Sequence, residues 1–126
     1  MYVRYFVNAA HLSDLSKLEL TFKLFGQYYL RTTTITNTEV SGNDLFAEYF
    51  HNTSFDKAKL ENANFANSNL QFTFFIDANL SNADLSGADL RSSVLTNADL
   101  SGANLNGALL DGAVLDCKNH SICKNN

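Results

Sequence analysis

Three residues near the end of the sequence carry side chains that bind metals or exchange sulfur bonds, and they stand three apart: Cys117, His120 and Cys123. Two thiolates and one imidazole fall one ligand short of a structural zinc site, and the stretch lacks the spacings such sites use. No metal is expected. The two cysteines are the only ones in the chain and lie six positions apart. They can close a small disulfide that pins the tail, or remain two free thiols. Met1-Tyr2-Val3-Arg4 does not open a charged-then-apolar leader, which leans toward the reduced state and a cytoplasmic location.

The remaining candidates for chemistry are fewer still. His11 and His51 stand in unrelated contexts and read as surface histidines. There is no serine or cysteine nucleophile motif, no glycine loop that would cradle phosphate, and no histidine pair at metal spacing. Aspartates are plentiful, yet Asp84, Asp89 and Asp99 recur in the same slot that Asn64, Asn69, Asn79 and Asn104 fill elsewhere. A slot that accepts Asp and Asn alike is structural, with the side-chain oxygen placed to bond neighbouring backbone. The chain is expected to be no enzyme and to need no cofactor.

That recurring slot belongs to a repeat. Every fifth residue from Leu30 to Leu115 is large and apolar, eighteen in all. In the last twelve units the residue two places earlier is Ala, Ser or Thr, as in Ala58, Ser68, Thr73 and Ala83. The unit is A-[DN]-L-x-x. A period of five fits neither a 3.6-residue helix nor an indefinitely extended strand, because either would carry the leucines off any single face. The chain must therefore turn within each unit. In a short extended piece the small and the large residue share the inner side and the Asp or Asn between them points outward. The last two positions, such as Ser86-Gly87 and Asp111-Gly112, have corner composition.

These residues resemble the pentapeptide-repeat family, and the resemblance covers about 90 of the 126 residues. It implies an all-β fold, a right-handed quadrilateral parallel β-helix. Eighteen units at four per coil make four to five coils, a rod roughly 22 Å long at a spacing of about 4.8 Å. The core stack is expected to run through Leu80, Leu85, Leu90, Leu95, Leu100 and Leu105. Phe55 should stack on Phe75 in one inward column, and Leu60 on Leu80 in another.

Three segments follow: a degenerate coil or cap over 1–29, the β-helix over 30–116 and a polar tail over 117–126. In the first, Leu18 to Leu24 alternate as a strand does, while Ser16-x-x-Glu19 matches a helix capping box, so strand and helix both stay open. Tyr2 to Val7 reads as a strand that covers the first apolar units. The tail holds one large apolar residue, Ile122, and makes a thin lid. End-to-end pairing into a homodimer would bury both open ends.

Partners are read from the outward slots. Arg91 is expected beside Asp111 and Lys57 beside Asp77, cross-strand pairs of a solvated sheet. One outward column is apolar instead: Phe74, Val94 and Val114, flanked by Phe72 and Ile76. Such a stripe marks an interface with a partner protein or a second copy, or a patch that another part of the chain covers.

Net charge is −4, with 13 acidic and 9 basic residues, which speaks against direct binding of nucleic acid on a basic face. No apolar run reaches the roughly 18 to 20 residues of a membrane span.

A noncatalytic structural or protein-interaction module, its partner unassigned, is the first functional reading. The family resemblance implies another, because some members mimic duplex DNA and bind a type II topoisomerase, gyrase. From Leu60 to Asp116 seven acidic residues face Arg91 alone, a balance of 1 − 7 = −6. DNA of that length, about 14 Å, would carry about eight charges, so the total is comparable but scattered over four faces. A third reading is an accessory or targeting domain of a larger protein.

Overall fold

The computed structural model describes residue 50 and residues 52–124. The expectations for 1–49, including the cap, the Tyr2–Val7 strand and the units at Ile35, Val40 and Leu45, lie outside the described residues, as does His51.

Each five-residue unit turns one corner. The N–H of Ala58 donates to the carbonyl of Phe55 at 3.0 Å, and Ala63 to Leu60, Ala78 to Phe75 and Ala88 to Leu85 repeat the bond at 3.0–3.1 Å. The second corner residue has positive φ almost throughout: Asn62 at 60°, Asn67 at 58°, Asn82 at 57°, Gly87 at 65°. A three-residue bond with left-handed backbone only at the third position is a type II turn. At Gly87 it is the positive φ that favours glycine, since an added Cβ would meet closely only the movable side chain of Asn67 in the coil below.

Four corners close a coil, and twenty residues separate stacked positions. The outward columns are Ser54–Phe74–Val94–Val114, Lys59–Asn79–Asp99, Asn64–Asp84–Asn104 and Asn69–Asp89–Leu109, all bridged in parallel. The ladder alternates as parallel sheet requires: Leu60 N–H donates to Asn79 O at 2.8 Å and Asn79 N–H to Ala58 O at 3.0 Å. Each coil thus satisfies its backbone mainly through its neighbours rather than within itself.

The axis of the rod is filled by the every-fifth residues. Phe50, Phe55, Phe65 and Phe75 and Leu60 to Leu100 are fully buried. Phe55 and Phe75 lie flat on each other, centroids 5.2 Å apart and planes 4° apart, while Phe65 meets both edge-on. Aromatic rings alternate with Leu60 and Leu70 in the lower coils, and leucines alone fill the upper ones. Ser and Thr are tolerated in the small inward column because their hydroxyls return to the corner: Thr73 Oγ1 donates to Leu70 O at 2.5 Å and Ser93 Oγ to Leu90 O at 2.7 Å.

Leu105 packs against the core but is less covered than the rest of the expected stack. It is only half-buried, as is Leu110, whereas Leu115, which also ends its inward column, is buried. The final coil is also one residue short. Asp99 bridges Lys118, nineteen positions away, and Cys117 occupies the small inward slot, fully buried. Cys117 and Cys123 are joined as a disulfide, S–S 2.09 Å. Among the described residues no helix is long and apolar enough to cross a membrane.

Candidate functional site

The Asp and Asn side chains of the outward slots are spent on the corners. Asn64, Asn69, Asn79, Asp84, Asp89, Asp99 and Asn104 each accept, through Oδ1, the N–H two residues on, at 2.9–3.2 Å. An amide or a carboxylate oxygen serves equally, which is why both occur. Asp89 also receives the Arg91 guanidinium through two contacts, 2.8 and 2.6 Å, and Gln71 Nε2 at 2.6 Å. The Arg91 bond, more than the Gln71 amide, holds the Asp89 carboxyl below its ordinary range. Asp99 is held low chiefly by the side-chain amide of Asn119, and next by the Ser101 N–H.

Two expected charge pairs are therefore not the ones formed. Arg91 turns back to Asp89, two residues away and already fixed by its corner bond, and Asp111 acts on it only at longer range. Asp77 accepts from Asn97 Nδ2 at 2.6 Å instead of pairing with Lys57. No three His, Cys, Asp or Glu side chains gather as metal ligands among the described residues.

With the polar slots absorbed by structure, the surface that stands out is apolar. Phe74, 41% exposed, and Val114, 45% exposed, frame Val94 in one bridged column. Val94 and Ile76 are half-buried, so they contribute less than their place in the stripe suggested. Phe72, at the preceding corner, is 45% exposed with φ +57°, a conformation bulky residues rarely adopt. Leu109, 47% exposed on the adjoining face of the last full coil, extends the patch and was not foreseen. Its signal was present in the sequence, because Leu109 is a leucine in a slot that Asn69 and Asp89 fill below it. The patch thus spans the Phe74 face and turns the corner at its upper end.

A four-sided parallel coil stack with its polar slots bound to its own turns defines a solenoid repeat protein. A family model described as pentapeptide repeats matches residues 49–82 and 74–112 in eight copies. The chain belongs to this family, and its coil is the right-handed β-helix of these proteins. A pentapeptide repeat protein from Nostoc PCC 7120 is 31% identical over 90% of this chain and 88% of its own, TM-score 0.67. One from the cyanobacterium Cyanothece 51142 is 27% identical, covers 70% of this chain with TM-score 0.66, and has 58% of its own length covered. A plasmid-mediated fluoroquinolone resistance protein is 22% identical over 66% of this chain and 60% of its own, with TM-score 0.36. No curated protein matches the chain.

Proposed function

We propose that the protein is a noncatalytic interaction module that docks another protein on the apolar patch of Phe72, Phe74, Val94 and Val114, with Leu109 at its upper edge. The exposure of Phe74 and Val114 in slots that the other faces fill mainly with Asp or Asn carries this reading. An aromatic and a β-branched residue on a flat, hydrogen-bonded ladder lose little conformational freedom on binding, so the face is suited to a hot spot. The side-chain oxygens that would otherwise serve catalysis are occupied by corner N–H groups, which supports a noncatalytic role.

The test is a pull-down from native cells with the wild-type chain and with Phe74→Asp, alongside circular dichroism. Loss of a specific partner from a variant that keeps its fold supports the docking face; an unchanged partner set overturns it. DNA mimicry draws less support. Asp84 stands between Asn64 and Asn104, and Asp89 between Asn69 and Leu109 with Arg91 upon it, so these two columns present no continuous acidic line. Inhibition or protection of gyrase supercoiling by the protein would reverse that preference. A homodimer through the apolar patch would appear in sedimentation as a dimer that Phe74→Asp dissociates.

A further inference from the structure

The disulfide is not needed to close the coils. Lys118 is held by the ladder itself, its N–H donating to Ala98 O at 2.9 Å and its carbonyl accepting from Leu100 N–H at 3.1 Å. Beyond it the tail has few ties. Cys123 N–H to His120 O at 3.1 Å and Ile122 N–H to His120 Nδ1 at 3.3 Å are bonds within the tail. Among the described residues, Asn119 Nδ2 to Asp99 Oδ1 at 3.0 Å, Lys124 N–H to Leu115 O at 2.6 Å, the packing of Ile122 and Cys123 on the core and the sulfur bond fasten 119–124 to the rod.

We propose that the Cys117–Cys123 disulfide is a reducible latch: it holds residues 119–124 over the C-terminal end of the coil stack, and a dithiol reductant opens it. The two sulfurs are unequal. Cys117 is fully buried and Cys123 only partly, so an incoming thiolate reaches Cys123 Sγ. Attack there forms a mixed disulfide and releases Cys117 as thiolate, which takes up a proton. The second thiol of the reductant then attacks its own bound sulfur, releasing Cys123 and leaving the reductant as a disulfide, so two electrons and two protons pass to the protein.

The reduced state is accommodated. Leu115 O lies 3.6 Å from Cys117 Sγ, within reach of a thiol S–H, so Cys117 keeps a partner in its inward slot while the strand at Lys118 remains paired. What changes is the cover at Leu115, whose carbonyl accepts the Lys124 N–H. The latch closes a loop of seven residues, and opening it lowers the closed-to-open ratio of the tail roughly fiftyfold on chain-entropy grounds.

Native-state hydrogen exchange on the full chain, oxidised and after dithiothreitol, tests this, with alkylation counting the thiols. Protection of the Cys123 and Lys124 amides is expected to fall about fiftyfold on reduction, with Leu85, Leu90 and Lys118 unchanged, and to return with oxidised glutathione. Cys123→Ser, which spares the buried Cys117, should match the reduced protein. Reduction that leaves tail protection unchanged, a bond that yields only when the whole rod unfolds, or thiols that oxidised glutathione does not close would each overturn the latch. Phe74→Asp should leave all these readings as they are, which separates the latch from the docking face.

Discussion

Asp56 and Ile76 are twenty residues apart, and Asp56 Oδ1 accepts the Ile76 N–H at 2.9 Å. In most units that corner N–H is taken by the Asp or Asn two residues before it. Here the position is Phe74, which has no acceptor, and a carboxylate from the coil below takes its place. An apolar residue was thus admitted to the outward face without leaving its corner unbonded.

A double-mutant cycle follows from this relationship. Asp56→Ala should cost about 0.5 to 1.5 kcal/mol, the worth of one hydrogen bond. In a Phe74→Asn background, where a local acceptor is restored, the same change should cost much less. Equal costs in both backgrounds, read from urea unfolding, would contradict the cross-coil cap.

Core truncations should grade along the rod. Leu85→Ala and Leu90→Ala, both fully buried, are expected to cost about 2 to 5 kcal/mol, since coils above and below prevent collapse. Leu105→Ala, half-buried at the end of its column, should cost no more than about 2 kcal/mol. Thermal melts of the three variants check the order.

Phe72 is strained and exposed together. Replacing it with Asn, which tolerates the left-handed region, should stabilise the rod by about 0.5 to 1 kcal/mol. If the apolar patch binds a partner, the same change should weaken that binding. A variant that is both less stable and equally active in binding would show that Phe72 is held for packing.

The acid response follows from two carboxylates. Asp89 and Asp99 both have their folded values lowered, the first by Arg91 and the second by Asn119. A lowered folded value means stability that is fully present above the unfolded value, about 3.9, and is lost as pH falls through the folded one. The melting temperature should stay level from pH 7 to about 5 and decline below about 4. An Asp89→Asn, Asp99→Asn double variant should decline less steeply; a parallel decline would assign the effect to other groups.

What the sequence alone determined is the coil. The period of five, the small and large inner columns and the corner residues are local and repeated, and each unit states the same alternation and turn chemistry, so the core from Leu60 to Leu100 and the corners could be read without coordinates. The apolar stripe was legible in part for the same reason. What the tertiary structure decided depends on residues about twenty positions away or at the end of a column: the half-burial of Val94 between Phe74 and Val114, the exposure of Leu109 and the open side of Leu105. It likewise decided that Asp56 serves Ile76 and that Arg91 turns to Asp89 rather than Asp111. The shortened last coil, which puts Cys117 in the core and brings Cys123 to it, has no repeat to announce it, because a unit of five says where the pattern runs but not how the chain leaves it.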